Sequence, residues 1–122
     1  MNITLWIGQI LLALIFTVSG SLKSTQSRDQ MIETGQAAAK IVPLPFMRTA
    51  GVSELFAVAG LILPWVTGVG RVLTPVAATG LGVIMILAAT VHTRLREPGN
   101  VAANMAILAV CVFVSTGRFA DV

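Results

Sequence analysis

Four long apolar stretches take up most of this 122-residue chain, over about residues 3–22, 50–66, 73–91 and 101–117. A helix rises about 1.5 Å per residue, so roughly 20 residues cross the hydrocarbon core of a bilayer. Backbone polar groups in lipid must be hydrogen-bonded within their own segment, which favours helices over single strands. We therefore predict an all-α protein with one domain over residues 1–122, a four-helix transmembrane bundle of up-down-up-down topology.

The composition excludes several classes of protein. Charged residues make up 11% of the chain, whereas soluble domains carry about 25%. The net charge is +3. The protein is nevertheless not expected to bind nucleic acid, because no basic stripe with interleaved aromatics and no known binding motif is present. The one cysteine, Cys111, lies within the last apolar stretch. It excludes an intrachain disulfide and is interpreted as a packing residue.

The basic residues predict the orientation of the chain in the membrane. Most of them follow the first and third spans, at Lys23, Arg28, Lys40, Arg48, Arg94 and Arg96. Only Arg71 and Arg118 fall on the other side. Cytoplasmic loops are richer in Lys and Arg. We therefore expect loops 1 and 3 to be cytoplasmic and both termini to be outside.

Loop 1 is the one extended connection. Ser27 and Gln30 have the spacing of a capping box and predict the start of a short helix. Pro43 and Pro45 are expected to prevent a regular helix over residues 41–47. The apolar side chains of that segment indicate that it rests on the membrane surface or between helix ends.

The candidate functional residues are five polar side chains near the ends of the spans. Ser19 and Lys23 end the first span, Glu54 lies one turn into the second, His92 ends the third and Asn104 lies one turn into the fourth. In an up-down bundle, loops 1 and 3 lie at the same end. All five residues are therefore predicted at similar depth, at that end of the bundle.

Glu54 is the strongest of these signals, because a carboxylate at the centre of a span costs about 2.5–3.5 kcal/mol. One interpretation is a proton donor or acceptor, or an anchor for a ligand. The other is a structural ion pair or hydrogen bond that fixes helix register. Arg48, Lys23 and His92 are the candidate partners of this carboxylate.

The remaining candidates also have two interpretations each. His92 either shuttles a proton with Glu54 near neutral pH or hydrogen-bonds a neighbouring helix at the interface. Asn104 either joins two helices by a hydrogen bond or contacts a ligand. Lys23 either extends to the lipid headgroups or pairs with Glu54. No metal site is predicted, because one His, one Glu and a distant Cys do not supply the ligands of zinc.

The opposite half of the bundle is expected to contain almost no ionisable group. Trp6 and Trp65 are interpreted as members of an aromatic belt at the membrane surface. Four arginines are interpreted as loop anchors, namely Arg71, Arg94, Arg96 and Arg118.

The chain resembles the DoxX-like family of small bacterial four-helix membrane proteins over nearly its whole length. The resemblance is carried by a series of short motifs in a fixed order. They are FTVSG at residues 16–20, Lys23, Arg48, Gly51, Glu54, GLILP at residues 60–64, Thr74, Pro75, His92 and Asn104.

This resemblance implies a multi-pass protein of the bacterial inner membrane. Relatives are associated with a membrane oxidoreductase complex in oxidative-stress defence, and one is similar to a subunit of a thiosulfate:quinone oxidoreductase. The chain lacks paired cysteines, so any electrons must come from a bound cofactor, a quinone or a partner.

Three functional hypotheses follow. The first is an accessory subunit, not an enzyme on its own, that binds a quinone-like lipid and serves a membrane or cytoplasmic redox partner. Glu54 and His92 would contact the head group, and Asn104 and Lys23 would orient it. The second is a proton-coupled transporter that works as a homo-oligomer, and the third is a structural or assembly partner.

Overall fold

The structure, a computed structural model, describes residues 2–122. Every regular element in this range is helical. The elements are α1 (Asn2–Thr25), α2 (Arg28–Glu33), a 3₁₀ helix (Ala37–Lys40), α3 (Leu44–Thr67), α4 (Leu73–Arg94) and α5 (Pro98–Asp121). Helices α1, α3, α4 and α5 are each long and apolar enough to span a membrane. The predicted all-α, four-helix architecture is thus confirmed.

The four long helices pack in two pairs. The most extensive contacts join α4 to α5 and α1 to α3, and smaller ones join α3 to α4 and α1 to α5. Each long helix therefore packs beside its neighbours in the chain, as an up-down-up-down bundle requires. One apolar core lies between the two pairs, formed by Leu12, Phe16, Leu61, Ala78, Leu81, Met85, Cys111 and Val114. Cys111 is buried there, consistent with packing.

The backbones of α1 and α3 approach closely at Gly20 and Gly51. A Cβ atom on Gly51 would lie 2.6 Å from the Cβ of Lys23, and one on Gly20 would lie 2.8 Å from the carbonyl oxygen of Gly51. Small residues permit such approach in membranes, where packing replaces the hydrophobic drive. This crossing brings Lys23 of α1 beside α3.

One expectation about loop 1 was wrong. Residues 41–43 are not helical, as expected, but the prolines do not prevent a helix over residues 44–47, because α3 begins at Leu44 and contains Pro45 in its first turn. The first-turn N–H groups of a helix have no intrahelical acceptor, so proline removes nothing there. Pro43 is the N-cap of the helix, and α3 therefore extends further toward loop 1 than predicted.

The rest of loop 1 is a small folded unit. The capping box of α2 is confirmed, since Gln30 N donates to Ser27 Oγ at 3.3 Å and Ser27 N donates to Gln30 Oε1 at 3.0 Å. Arg28 Nε donates to the carbonyl oxygen of Ala39 at 2.7 Å, which holds the 3₁₀ helix against α2. The 3₁₀ helix also contacts α4. Loop 1 thus crosses the end of the bundle.

The two ends of the bundle differ in packing. We call residues 2–9, 60–78 and 114–121 the closed end. There Thr74 Oγ1 of α4 donates to the carbonyl oxygen of Gly60 of α3 at 3.0 Å, and Gly8 of α1 packs on Val114 of α5. We call residues 15–54 and 84–107 the cavity end. A cavity lined by all four long helices lies there.

Candidate functional site

A cavity of about 610 Å³ opens at the cavity end. All four long helices and loop 1 line it, and Phe16 and Met85 of the core form part of its wall. Its volume falls within the range of about 300–1,000 Å³ that is typical of small-molecule sites. Most of the wall is apolar, with a few polar side chains: Ser19, Lys23, Gln36, Thr49, Ser53, His92, Asn100 and Asn104.

Lys23 and Glu54 form the ion pair at this end. Lys23 Nζ lies 3.0 Å from Glu54 Oε1, and Ser19 Oγ donates to the same oxygen at 3.2 Å. Ser19 and Lys23 are one turn apart on α1, so both reach Glu54 from the same face. Glu54 is 0% exposed. Ser19 and Lys23 line the cavity, whereas Glu54 lies behind them, outside its lining.

The surroundings of this pair contain polar atoms with no hydrogen-bond partner. Glu54 Oε2 and Ser24 Oγ are buried and unpaired. Arg48, another candidate partner of Glu54, instead donates from Nη1 to the carbonyl oxygen of Lys23 at 2.9 Å. Arg48 thus caps the end of α1, and of the three cations considered as partners, only Lys23 forms an ion pair with Glu54.

His92 pairs with a different carboxylate. Its Nδ1 lies 2.9 Å from Glu97 Oε1, five residues along the chain in loop 3. This hydrogen bond from His92 is the main cause of a lowered pKa at the Glu97 carboxyl. His92 lines the cavity with Ser19 and Lys23, but the predicted direct partnership of His92 with Glu54 is not formed.

Asn104 lines the cavity from α5, on the side opposite Glu54's helix pair. Its Nδ2 is buried and has no hydrogen-bond partner. A buried unpaired amide donor costs about 1–3 kcal/mol. Among the interpretations of Asn104, an interhelical bond through Nδ2 is therefore not observed. Asn104 thus lies in the cavity wall with its amide nitrogen buried and unpaired.

The cavity reaches the lipid-facing surface of the bundle. Val18 of α1, Phe46 of α3 and Leu87 of α4 all line it, and their exposed fractions are 62%, 67% and 62%. These apolar residues lie where a membrane would surround the helices. An apolar molecule could therefore pass between the cavity and the bilayer without crossing a polar surface.

The closed end contains a buried cation, contrary to expectation. Arg118 is 1% exposed and is not a loop anchor. Its Nε donates to Gln9 Oε1 at 2.6 Å, and its Nη1 donates to Asn2 Oδ1 at 2.8 Å. The guanidinium carbon lies 4.3 Å from the ring centroid of Trp65 and 5.6 Å from that of Trp6. This half of the bundle is therefore not free of ionisable groups.

Gln9 links this cluster to α3, because its Nε2 donates to the carbonyl oxygen of Leu61 at 2.7 Å. Sequence reasoning missed Gln9 because it is uncharged and interrupts the first span only once. A signal was present, since Trp6 and Gln9 are three residues apart and share a helix face. Among residues 2–122, no group of three or more His, Cys, Asp or Glu side chains is placed to hold a metal ion.

Comparison with known proteins gives one match. The family model described as the DoxX-like family matches residues 7–114. That range includes the cavity end and most of the closed end, and it bears out the resemblance seen in the sequence. No curated protein and no solved structure matches the chain.

Proposed function

This chain belongs to the DoxX-like family, and from that premise we propose that it is an accessory membrane subunit that binds a quinone-like lipid for a redox system. The observation that carries the proposal is an apolar cavity of about 610 Å³ whose wall includes Asn104, a residue whose amide Nδ2 is buried without a hydrogen-bond partner. Rotation of this side chain would turn Nδ2 toward the cavity. A ligand with a hydrogen-bond acceptor in its head group would satisfy this donor.

The other polar groups of the wall support a head group with two acceptors. Lys23 keeps N–H donors beyond the one directed at Glu54, because an ammonium has three. The ring of His92 also lies in the wall, with Nδ1 held by Glu97. Two carbonyl oxygens on opposite sides of a ring would accept from Lys23 on α1 and Asn104 on α5. A bound quinone would supply reversible uptake of electrons and protons.

The structure offers the apolar part of the ligand an opening from the bilayer into the cavity. Val18, Phe46 and Leu87 line the cavity and are exposed on the lipid-facing surface. A hydrocarbon tail could therefore remain in the bilayer while the head group enters the cavity. This supports a lipid-soluble ligand over a water-soluble one.

The test compares two substitutions on α4 in protein reconstituted in lipid nanodiscs. Ala88 lines the cavity, so Ala88→Phe should fill it. Val76 is 49% exposed on the same helix and lies outside the cavity, so Val76→Phe is the matched control. We expect saturable binding of a short-chain benzoquinone to the wild type, about tenfold weaker binding to Ala88→Phe, and no change in Val76→Phe. Absence of saturable binding to the wild type would overturn the proposal.

A second candidate function is structural. The observation that favours it is the Lys23–Glu54 pair itself, which joins α1 to α3 at 3.0 Å. Glu54→Gln keeps the volume and one acceptor oxygen, removes the charge and replaces the second oxygen by an NH₂ donor. A structural role predicts a lower unfolding temperature with unchanged quinone binding, whereas the proposed role predicts altered binding in a protein that still folds.

A further inference from the structure

The two ionisable side chains of the cavity wall, Lys23 and His92, each contact a carboxylate outside the wall. Among the described residues 2–122, Lys23 and His92 are the ionisable residues that line the cavity. Lys23 Nζ lies 3.0 Å from Glu54 Oε1, and His92 Nδ1 lies 2.9 Å from Glu97 Oε1. The wall contributed by α5 is uncharged, with Asn100, Asn104 and Ile107. A ligand would therefore meet N–H donors without a net positive charge.

The position of Glu54 makes the cavity selective for neutral ligands over anionic ones. Its carboxylate is 0% exposed and lies behind the wall, so it does not compete for space in the cavity. It does cancel the field of the Lys23 ammonium at short range, because both charges act through a medium of low dielectric constant. An anion entering this cavity would lose its hydration without gaining an unpaired cation, which is unfavourable. A neutral acceptor would lose much less hydration.

We infer that Glu54 determines the charge selectivity of the cavity: it neutralises Lys23, so the site takes amphiphiles with a neutral acceptor head group and rejects anionic ones of the same shape. This inference rests on the proposed ligand-binding function and adds to it a class of ligand and a specificity-determining residue. Glu54 acts through Lys23 and does not touch the ligand.

The test uses two probes of nearly identical shape, decanesulfonamide and decanesulfonate. The sulfonamide is neutral at pH 7 and the sulfonate carries one negative charge. Dissociation constants would be measured by native mass spectrometry on the full chain in nanodiscs. The wild type should bind the sulfonamide about tenfold or more tightly than the sulfonate. Glu54→Gln leaves Lys23 without its counter-ion, so it should reverse this preference.

A second variant keeps the inference testable if Glu54→Gln does not fold. The double variant Lys23→Gln/Glu54→Gln removes both charges and retains two amides that can hydrogen-bond each other. It should keep the wild-type preference for the sulfonamide, because the cavity wall is again neutral. The thermal unfolding midpoint of each variant would be recorded alongside binding.

The outcomes separate this inference from the proposed function. Equal binding of both probes to the wild type would overturn the inference while leaving the binding function standing. So would an unchanged preference in folded Glu54→Gln, or a lost preference in the double variant. If neither probe binds the wild type or any variant while the benzoquinone does bind, the inference fails and the binding function stands. If the benzoquinone does not bind either, both fail.

Discussion

The two ends of this bundle differ in how far their buried polar groups are hydrogen-bonded. At the closed end the polar side chains satisfy one another. Arg118 donates to Gln9 and Asn2, and Gln9 donates to the backbone of α3. Arg118 Nη2 has no hydrogen-bond acceptor, but its guanidinium lies over the ring of Trp65 at 4.3 Å, a stabilising arrangement for a cation.

At the cavity end the polar groups are only partly satisfied. Lys23 and Glu54 pair, yet Glu54 Oε2, Ser24 Oγ and Asn104 Nδ2 remain buried without a hydrogen-bond partner. Stability alone would favour apolar residues at such positions. The comparison teaches that the closed end holds the helices together, whereas the cavity end keeps buried polar atoms unpaired. Of the three residues that carry these atoms, Asn104 is the one that lines the cavity.

The largest expected effect is at the closed end. Arg118→Leu removes the donor from Gln9 Oε1 and Asn2 Oδ1, and a buried acceptor left without a donor costs about 1–3 kcal/mol. The free energy of unfolding, measured by denaturant titration in detergent micelles, should fall by about that amount. Arg94→Leu is the control, because Arg94 is exposed at the end of α4. Equal losses in the two variants would mean that the buried cluster does not stabilise the closed end.

A smaller effect is expected at the cavity end. Asn104→Leu should not lower the free energy of unfolding, because Nδ2 has no hydrogen bond to lose and an apolar side chain suits its surroundings. Quinone binding should weaken in the same variant. A loss of stability as large as that of Arg118→Leu would erase the contrast between the two ends.

The smallest effect concerns loop 3. The hydrogen bond from His92 lowers the pKa of the Glu97 carboxyl below 4.5, so this contact is present at neutral pH. Its stabilising contribution is lost only as the pH falls through the lowered pKa. In a carbon-13 NMR titration, Glu97 should titrate below pH 4.5 in the wild type and move upward in His92→Phe. An unmoved midpoint would show that His92 does not hold this carboxylate.

The sequence predicted the architecture well because the apolar spans dominate the energetics. Lengths near 20 residues and short loops leave few alternatives to an up-down bundle. The contacts of the polar residues could be predicted only in part. The shared depth of Ser19, Lys23 and Glu54 followed from the topology, and these three do come together.

The errors had local physical causes. His92 was considered as a partner for Glu54, but it contacts Glu97, which is only five residues away in the chain. Arg118 was placed at the surface because it ends the last span, whereas Gln9 supplies an acceptor that draws it inward. Such partnerships depend on which faces of two helices meet, and span length does not determine this.

The clustering of Arg118 with Trp6 and Trp65 has a spectroscopic consequence. The chain contains two tryptophans and no tyrosine, and both indoles lie at the closed end beside the guanidinium. Intrinsic fluorescence therefore reports on that end alone. A ligand that fills the cavity without disturbing the closed end would leave the emission spectrum nearly unchanged. A tryptophan introduced at Phe46 would add a signal from the mouth of the cavity.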